Sequence, residues 1–332
     1  KQMYIPYQLH LLPPPDILRV TKLNYIEHIE TDKLVEEESI SFQAKVLERS
    51  GIGWILLWVP LQKKTEMVLF TVVNDLLSKH KINPKSIDIL VSNCSLFCPM
   101  PSITSMILNK FGFRSNIKSF NLSRMGCSAG IWSISMAKDL LKVHRKSLAL
   151  VLSMEAVTPN GYGGREKSTL LPNILFWMGG AAILLSNRKQ DKRIAKYELQ
   201  HLVRTHIDSD DQAYQSVFQQ PDEAGHVGVS LSWALLHVAA KALRNNMSEL
   251  GPLVLPYMEQ LRYGWSLCYL EAKGRVTKGN PVWQIAFGSG FKCNSAVWKC
   301  IPDIDPMERN AWSDRVDSYP VNEIPNARSN VL

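Results

Sequence analysis

A regular alternation of helical and apolar strand patterns between residues 87 and 206 most constrains how this chain can fold. Apolar positions recur at helical spacing through 128–144 ("SAGIWSISMAKDLLKVH"), and a continuous apolar run follows at 147–156 ("SLALVLSMEA"). A strand that is apolar on both faces has to be covered on both faces, which is typical of sheets whose strands are connected through helices. The pattern therefore predicts a layered α/β sheet with helices on both sides.

The same alternation continues along the rest of the chain. Helices are predicted over 39–51, 65–80, 101–112 and 229–247, and strands over 87–91, 115–122, 179–187, 196–206 and 282–291. Residues 251–256 are predicted to form a turn or a short strand. We expect four regions: an irregular N-terminal arm (1–38), a first half (39–206), a shortened second half (207–300) and a loose polar tail (301–332).

The composition is that of a globular protein and excludes several classes of function. Hydrophobic residues make up 45% and charged residues 20% of the chain, so overall disorder is excluded. The net charge is +8, yet the basic residues are scattered, so no nucleic-acid surface is predicted. The longest apolar stretch, 51–61, is shorter than the roughly 20 residues that cross a bilayer, and we expect no membrane-spanning segment.

The cysteines do not form a metal or disulfide pattern. Their spacing lacks the paired Cys and His motifs of a zinc site, and their density is too low for a disulfide scaffold. We therefore expect a reducing compartment and no metal site. We expect no cofactor either. The six positions are Cys94, Cys98, Cys127, Cys268, Cys293 and Cys300.

Cys127, in "NLSRMGCSAG", lies where a predicted strand ends and a predicted helix begins. A thiol at a helix N-terminus meets unpaired N–H groups and the positive end of the helix dipole, which favour the reactive thiolate. Gly126 and Gly130 permit a tight turn and close helix–strand packing. A free cysteine is also among the residues most often buried as an inert thiol. The local residues alone leave both interpretations open.

A second glycine turn ends the last predicted strand. Gly288 and Gly290, in "GSGF", would allow backbone N–H groups to approach a ligand closely. Such groups can form part of an oxyanion hole. Together with Cys127 they suggest that two halves of the chain meet at one site.

The sequence also resembles a known family. The motifs that carry the likeness run in order from about Ser39 to Trp298 and are similar to those of plant 3-ketoacyl-CoA synthases, the condensing enzymes of very-long-chain fatty acid elongation. They are "SFNLSRMGCSAG", "LLPNILFWMGGAAILLSNR", "HLVRTH", "GVSLSWAL", "LGPLVLP", "EAKGRV" and "WQIAFGSGFKCNSAVW".

This resemblance implies a thiolase-like α/β fold with two βαβ-type halves, of which the second is incomplete here. It implies that Cys127 accepts the acyl group of a long-chain acyl-CoA, and that malonyl-CoA then loses CO₂ and attacks the thioester. His206, in "HLVRTH", matches an active-site histidine of the family, and it could also be a structural residue at a strand end. The N–H groups of Cys127 and of the turn near Gly290, with Gly288, would bind the oxyanion.

The chain departs from the family where it matters for malonyl-CoA. The family's stretches "HFCIHAGG" and "RFGN", which hold further histidines and an asparagine, are missing. Residues 262–264 ("RYG") either begin the second motif, with Trp265 in the place of the asparagine, or match the stretch that follows this motif in the family. The asparagine is absent in both alignments. Arg124 occupies a position where the family has glycine. The resemblance therefore implies an acyltransferase whose condensation step is impaired.

Two alternatives stay open at the level of sequence. The chain could be a non-catalytic homologue that pairs with an active synthase, or the product of a pseudogene or of a mis-joined gene model near 261–265. The resemblance further implies a homodimer or a heterodimer with family members, contact with other elongase components, and a place at the endoplasmic reticulum membrane.

Overall fold

The structure is a computed structural model. It describes residues 3–5, 10–12, 19–20, 22–31, 36–49, 55–56, 61–156, 161–176, 178–254, 274 and 276–305. The junction at 261–265, Cys268 and the part of the predicted tail from 306 onward lie outside the described residues.

One mixed sheet organises the described part of the chain. Its strands β6 (Lys118–Ser123), β5 (Ile89–Cys94) and β7 (Leu148–Glu155) are parallel, and the remaining neighbours pair in antiparallel fashion. The spatial order is β12 (Pro281–Gly288), β13 (Lys292–Cys300), β9 (Tyr197–His206), β1 (Met3–Ile5), β8 (Gly179–Ser186), β7 (Leu148–Glu155), β5 (Ile89–Cys94) and β6 (Lys118–Ser123), with β2 (His10–Leu12) paired to another stretch of β8.

Helices cover both faces of this sheet. The helices are α1 (Lys22–Thr31), α2 (Glu37–Arg49), α3 (Leu61–Lys79), α4 (Ile103–Phe111), α5 (Ala129–Val143), α6 (Lys167–Leu175), α7 (Asp211–Tyr214) and α8 (Leu235–Val254). Two short strand pairs lie outside the sheet: β3 (Arg19–Val20) with β4 (Ile55–Leu56), and β10 (Val217–Pro221) with β11 (Val227–Leu231).

The apolar core is divided by the sheet into two clusters. Ile89 and Val91 point to the face where α5 contributes Ile131 and Ile134. Leu90, the residue between them, points to the opposite face, which α3 and α4 cover. Every residue of β5 is buried, as the continuous apolar pattern predicts for a strand covered on both sides.

Helix α8 packs on the antiparallel end of the sheet. Val238 and Ala242 belong to one apolar cluster with Phe291, and Leu250 belongs to another with Val203. These contacts attach the second half of the chain to β9 and β13, the strands that lead into the candidate site.

The layered α/β architecture predicted from the sequence is confirmed, and two of the element predictions are wrong. Residues 229–231 belong to strand β11 rather than to a helix, since "VGVSL" alternates with the strand period and pairs with β10. Residues 251–254 continue α8 despite Gly251 and Pro252, because buried Leu250 anchors this turn of the helix.

The N-terminal segment differs from the irregular arm that its prolines and acidic residues predict. Its described residues include three short strands and α1. Strand β1 lies between β8 and β9, with Met3 in the core, because its backbone completes the hydrogen bonding of both neighbours. The boundaries of the four regions stay a prediction.

Candidate active site

Cys127 lies in a 3-10 turn, Gly126–Ser128, that connects β6 to α5. Gly126 has a φ of +66°, a left-handed conformation that suits glycine. The hydroxyl of buried Ser128 donates to the carbonyl of Met125 at 3.1 Å and closes the turn. The carboxyl ends of parallel strands are where α/β sheets bind ligands, and Cys127 is exposed at this end.

The residue that leads into this turn is held in an unfavourable conformation. Arg124 has a φ of +60°, and its backbone N–H donates to the carbonyl of Ser95, which follows β5, at 3.2 Å. A left-handed conformation costs a residue with a side chain about 1–2 kcal/mol relative to glycine. The backbone at position 124 therefore has the positive φ that glycine adopts without strain, although the residue is arginine.

The turn between β12 and β13 closes directly on the cysteine turn. A Cβ atom placed on Gly126 would lie 2.7 Å from the backbone nitrogen of Ser289, and one placed on Gly288 would lie 2.1 Å from the Ser128 hydroxyl. Asn294, which is fully buried in β13, donates from Nδ2 to the carbonyl of Ser128 at 3.3 Å. The structure therefore brings Gly288 to the cysteine turn, whereas Gly290 lies against other residues.

His206 is the last residue of β9, on the same side of the sheet as α5. Its ring packs edge-on against Trp132 of α5, with ring centroids 5.7 Å apart, and its side chain is 40% exposed. The guanidinium of Arg204, two residues earlier on β9, lies 4.3 Å from the centroid of the Trp132 ring. Trp132 thus connects the helix that follows Cys127 with the strand that carries His206.

The surroundings of Cys127 do not favour the thiolate. Although part of the residue reaches solvent, burial by the surrounding protein raises the pKa of the Cys127 thiol, and the nearby Glu155 carboxylate raises it further. The backbone N–H of Cys127 acts in the opposite direction and is the smaller effect. At this turn, desolvation outweighs the N–H groups that would favour the thiolate.

Glu155, at the end of β7, was not singled out by the sequence analysis. Its carboxylate accepts the Ser95 hydroxyl at 2.7 Å and the Ser95 backbone N–H at 3.0 Å. Burial raises the pKa of Glu155, and these donors lower it. The signal in the sequence that could have found Glu155 is that it is a lone acidic residue at the end of an apolar strand. The fold places this strand end near the predicted nucleophile.

Three more residues at the site were also missed. Trp132 looks like an ordinary apolar helix position, and Asp208 and Lys292 lie in separate segments that only the fold brings together. Lys292 pairs with His206 across β13 and β9, and its ammonium lies 2.9 Å from Asp208. Sequence spacing gives no sign of such a pairing.

Comparison with solved structures defines the class of this fold. It resembles 1,3,6,8-tetrahydroxynaphthalene synthase from Streptomyces coelicolor, a bacterial type III polyketide synthase (TM-score 0.73, 14% identity, 91% of this chain and 99% of that chain). It also resembles a type III pentaketide synthase from Neurospora crassa (TM-score 0.69, 16% identity, 90% and 99% of the two chains). The thiolase-like α/β fold expected from the resemblance is confirmed.

Sequence comparison then gives the family. Residues 59–272 match the model of the FAE1/type III polyketide synthase-like proteins. Arabidopsis thaliana 3-ketoacyl-CoA synthase 7 is 50% identical over 93% of this chain and 85% of its own length, and 3-ketoacyl-CoA synthase 6 is 40% identical over 93% and 79%. The chain belongs to the 3-ketoacyl-CoA synthases, which are acyltransferase-type condensing enzymes.

The alignments also show a difference in length within the matched region. The match to 3-ketoacyl-CoA synthase 7 runs over 390 positions, whereas this chain has 332 residues, so some positions of the relative have no counterpart here. Among the described residues, none of the helices is both long and apolar enough to cross a membrane.

Proposed function

We propose that Cys127 takes the acyl group of a long-chain acyl-CoA as a thioester, and that the following condensation with malonyl-CoA is impaired in this chain. In the first step the Cys127 thiolate attacks the thioester carbonyl and the CoA thiolate leaves. The observation that carries this proposal is the exposed position of Cys127 at the carboxyl ends of the parallel strands, in a turn closed by the Gly288 loop.

The close contact between the two turns supports a site for an oxyanion. The backbone nitrogen of Ser289 approaches the Cys127 turn because Gly126 and Gly288 have no side chains to separate them. Backbone N–H groups that are fixed in place stabilise the negative charge of a tetrahedral intermediate, and one such donor is worth about 10²–10³-fold in rate. We assign this role to the N–H of Cys127 and to the 288–290 turn.

His206 is proposed as the second active-site group. It is held next to α5 by its contact with Trp132, and an imidazole can take the thiol proton that acylation releases. This role suits a thiol whose pKa is raised by burial and by Glu155, because such a thiol needs a base to become nucleophilic.

The second step needs groups that this chain lacks. Malonyl-CoA has to lose CO₂, and its carbanion then forms a carbon–carbon bond with the acyl group and releases the Cys127 thiolate. The family's later histidines and asparagine hold the malonyl thioester, but this chain has no histidine after His237, and residues 262–265 do not supply the asparagine in either alignment to the family motif. We infer that acylation persists and that condensation is slow.

The direct test supplies purified protein with long-chain acyl-CoA and ¹⁴C-labelled malonyl-CoA and measures labelled 3-ketoacyl-CoA. We expect little or no product, from the wild type and from Cys127→Ala alike. Rapid product formation that disappears in Cys127→Ala would contradict the impairment and would identify an active synthase.

The alternative role, a non-catalytic homologue that pairs with an active synthase, predicts a different result. The chain would co-purify with a full-length family member from membranes of the endoplasmic reticulum and would change that member's rate. Recovery as a free chain with an acylated Cys127 would favour the first proposal. Transcript reads across 261–265 would show whether this junction is present in the messenger RNA.

A further inference from the structure

Asp208, two residues after His206, has one carboxylate oxygen without a partner. Its Oδ1 atom lies 3.7 Å from Nδ1 of His206, which is too long for a hydrogen bond and within reach of a small rotation of either side chain. Although 39% of the Asp208 side chain is exposed, solvent does not reach Oδ1, and no described residue donates to it. A desolvated carboxylate oxygen without a hydrogen-bond donor is unfavourable. A hydrogen bond from a nearby N–H group would therefore stabilise this oxygen.

The other oxygen of the same carboxylate is firmly held. Lys292, whose side chain is only 15% exposed, places its ammonium 2.9 Å from Oδ2 of Asp208 and donates to the carbonyl of Ser289 at 2.6 Å. A Cβ atom on Gly290 would lie 2.8 Å from the ammonium and 3.0 Å from Oδ2, so this ion pair packs directly on the glycine turn. The carboxylate therefore has a fixed orientation, with Oδ1 left toward His206.

Backbone contacts between β9 and β13 hold the side chains of His206 and Asp208 next to each other. The N–H of Ile207 donates to the carbonyl of Phe291 at 3.1 Å, and Lys292 is the cross-strand partner of His206. A carboxylate that only formed a surface ion pair would turn its second oxygen to water. The geometry instead directs that oxygen to Nδ1.

We propose that Asp208 is a positioning residue for His206: its Oδ1 accepts the proton on Nδ1, so that the imidazole presents Nε2 as its free nitrogen. The same carboxylate links His206 through Lys292 to Ser289, which contacts the cysteine turn. This inference rests on the proposed function only where it predicts an effect on the rate of Cys127 acylation. The tautomer of His206 can be measured whether or not the protein is an enzyme.

The test reads the tautomer directly by NMR. Protein labelled with ¹⁵N-histidine is recorded at pH 8, where an ordinary imidazole is neutral, and His206 is assigned by its loss in His206→Gln. We expect the proton on Nδ1 in the wild type. The asparagine side chain in Asp208→Asn has a single oxygen, which will accept from the Lys292 ammonium. Its NH₂ group will then donate to Nδ1 of His206, and we expect the imidazole proton to move to Nε2.

Matched variants separate this effect from a loss of structure. Asp211→Asn removes an exposed carboxylate three residues further along and should leave the tautomer unchanged. Asp208→Ala removes the acceptor and should yield a mixture of the two tautomers. The same tautomer of His206 in the wild type, Asp208→Asn and Asp208→Ala would overturn the proposal.

The rate of Cys127 acylation by acyl-CoA is the second measurement. We expect Asp208→Asn to slow it by about tenfold or more, since acid–base catalysis is worth roughly 10²–10⁴-fold and needs the correct tautomer. A changed tautomer with an unchanged rate would support the positioning by Asp208 and would contradict the role of His206 in the proposed function. The two proposals therefore fail in distinguishable ways.

Discussion

The parallel and antiparallel parts of the one sheet both combine apolar packing with buried hydrogen bonds, such as that from Asn93 of β5 to the Ser133 hydroxyl at 2.9 Å, but they contribute different groups to the candidate site. In the parallel part, all of β5 is buried, and the apolar side chains of β5 and β7 pack against helices on both faces. In the antiparallel part, the packing includes a buried polar network, in which Asn246 of α8 donates to the Thr205 hydroxyl at 3.0 Å and to the Cys293 carbonyl at 2.9 Å. Hydrogen bonds of this kind fix orientation as well as contact.

The candidate site is assembled from both parts of the sheet. The parallel part carries Cys127, the proposed nucleophile, and its acidic neighbour Glu155. The antiparallel part supplies His206, Asp208 and the Gly288 turn. The two meet where Gly126 contacts Ser289, so the candidate site is assembled through one close backbone contact between parts of the chain more than 160 residues apart.

The largest expected effect comes from breaking that contact. Gly126→Ala adds a methyl group 2.7 Å from the Ser289 nitrogen to a residue with a φ of +66°, and we expect it to lower the free energy of unfolding by about 3 kcal/mol. Gly112→Ala is the control, because Gly112 has a φ of +61° and no atom lies within 4 Å of its added Cβ. It should cost only about 1–2 kcal/mol.

Urea unfolding of both variants measures this difference. Equal losses of stability in Gly126→Ala and Gly112→Ala would mean that the two parts of the sheet do not meet as closely as described. The contact would then have no role in shaping the site.

A smaller effect of opposite sign is expected at Arg124. Arg124→Gly relieves the left-handed strain but increases the conformational entropy of the unfolded chain, which offsets part of the gain. We expect a net gain of about 1 kcal/mol in the free energy of unfolding. Arg244→Gly, at an exposed position in the middle of α8, should lose about 1 kcal/mol. Loss of stability in both variants would show that the Arg124 side chain compensates for its backbone.

The pH dependence of the thiol tests the parallel part alone. Burial and then Glu155 raise the pKa of Cys127, so Glu155→Gln removes a negative charge and should lower that pKa. The rate of alkylation by iodoacetamide follows the thiolate, and its midpoint should move to lower pH. Glu166→Gln, an exposed carboxylate, should leave the midpoint in place. A rise or no change in Glu155→Gln would contradict the coupling.

The sequence predicts the parallel part better than the antiparallel part, for a physical reason. Apolar runs such as 147–156 have one interpretation, because a strand buried on both faces needs helices around it. Strand β11 and the end of α8 were misassigned, since their conformation depends on pairing with β10 and on the burial of Leu250.

The candidate site divides in the same way. The strand–turn–helix context draws attention to Cys127, but only the family resemblance makes it the predicted nucleophile. The contact of Gly288 with the cysteine turn agrees with the prediction that the two glycine turns meet at one site. Asp208, Lys292 and Trp132 could not be found, because their contacts join segments that are distant in sequence. The thiol's raised pKa also depends on burial, which local sequence does not contain.

Mass spectrometry of the Cys127 peptide after incubation with a long-chain acyl-CoA tests the central claim most directly. The account predicts that Cys127 gains the mass of one acyl group, that the exposed thiol of Cys98 stays unmodified, and that Cys127→Ala carries no acyl group. An unmodified Cys127, or equal labelling of Cys98 and Cys127, would contradict the assignment of Cys127 as the acyl acceptor.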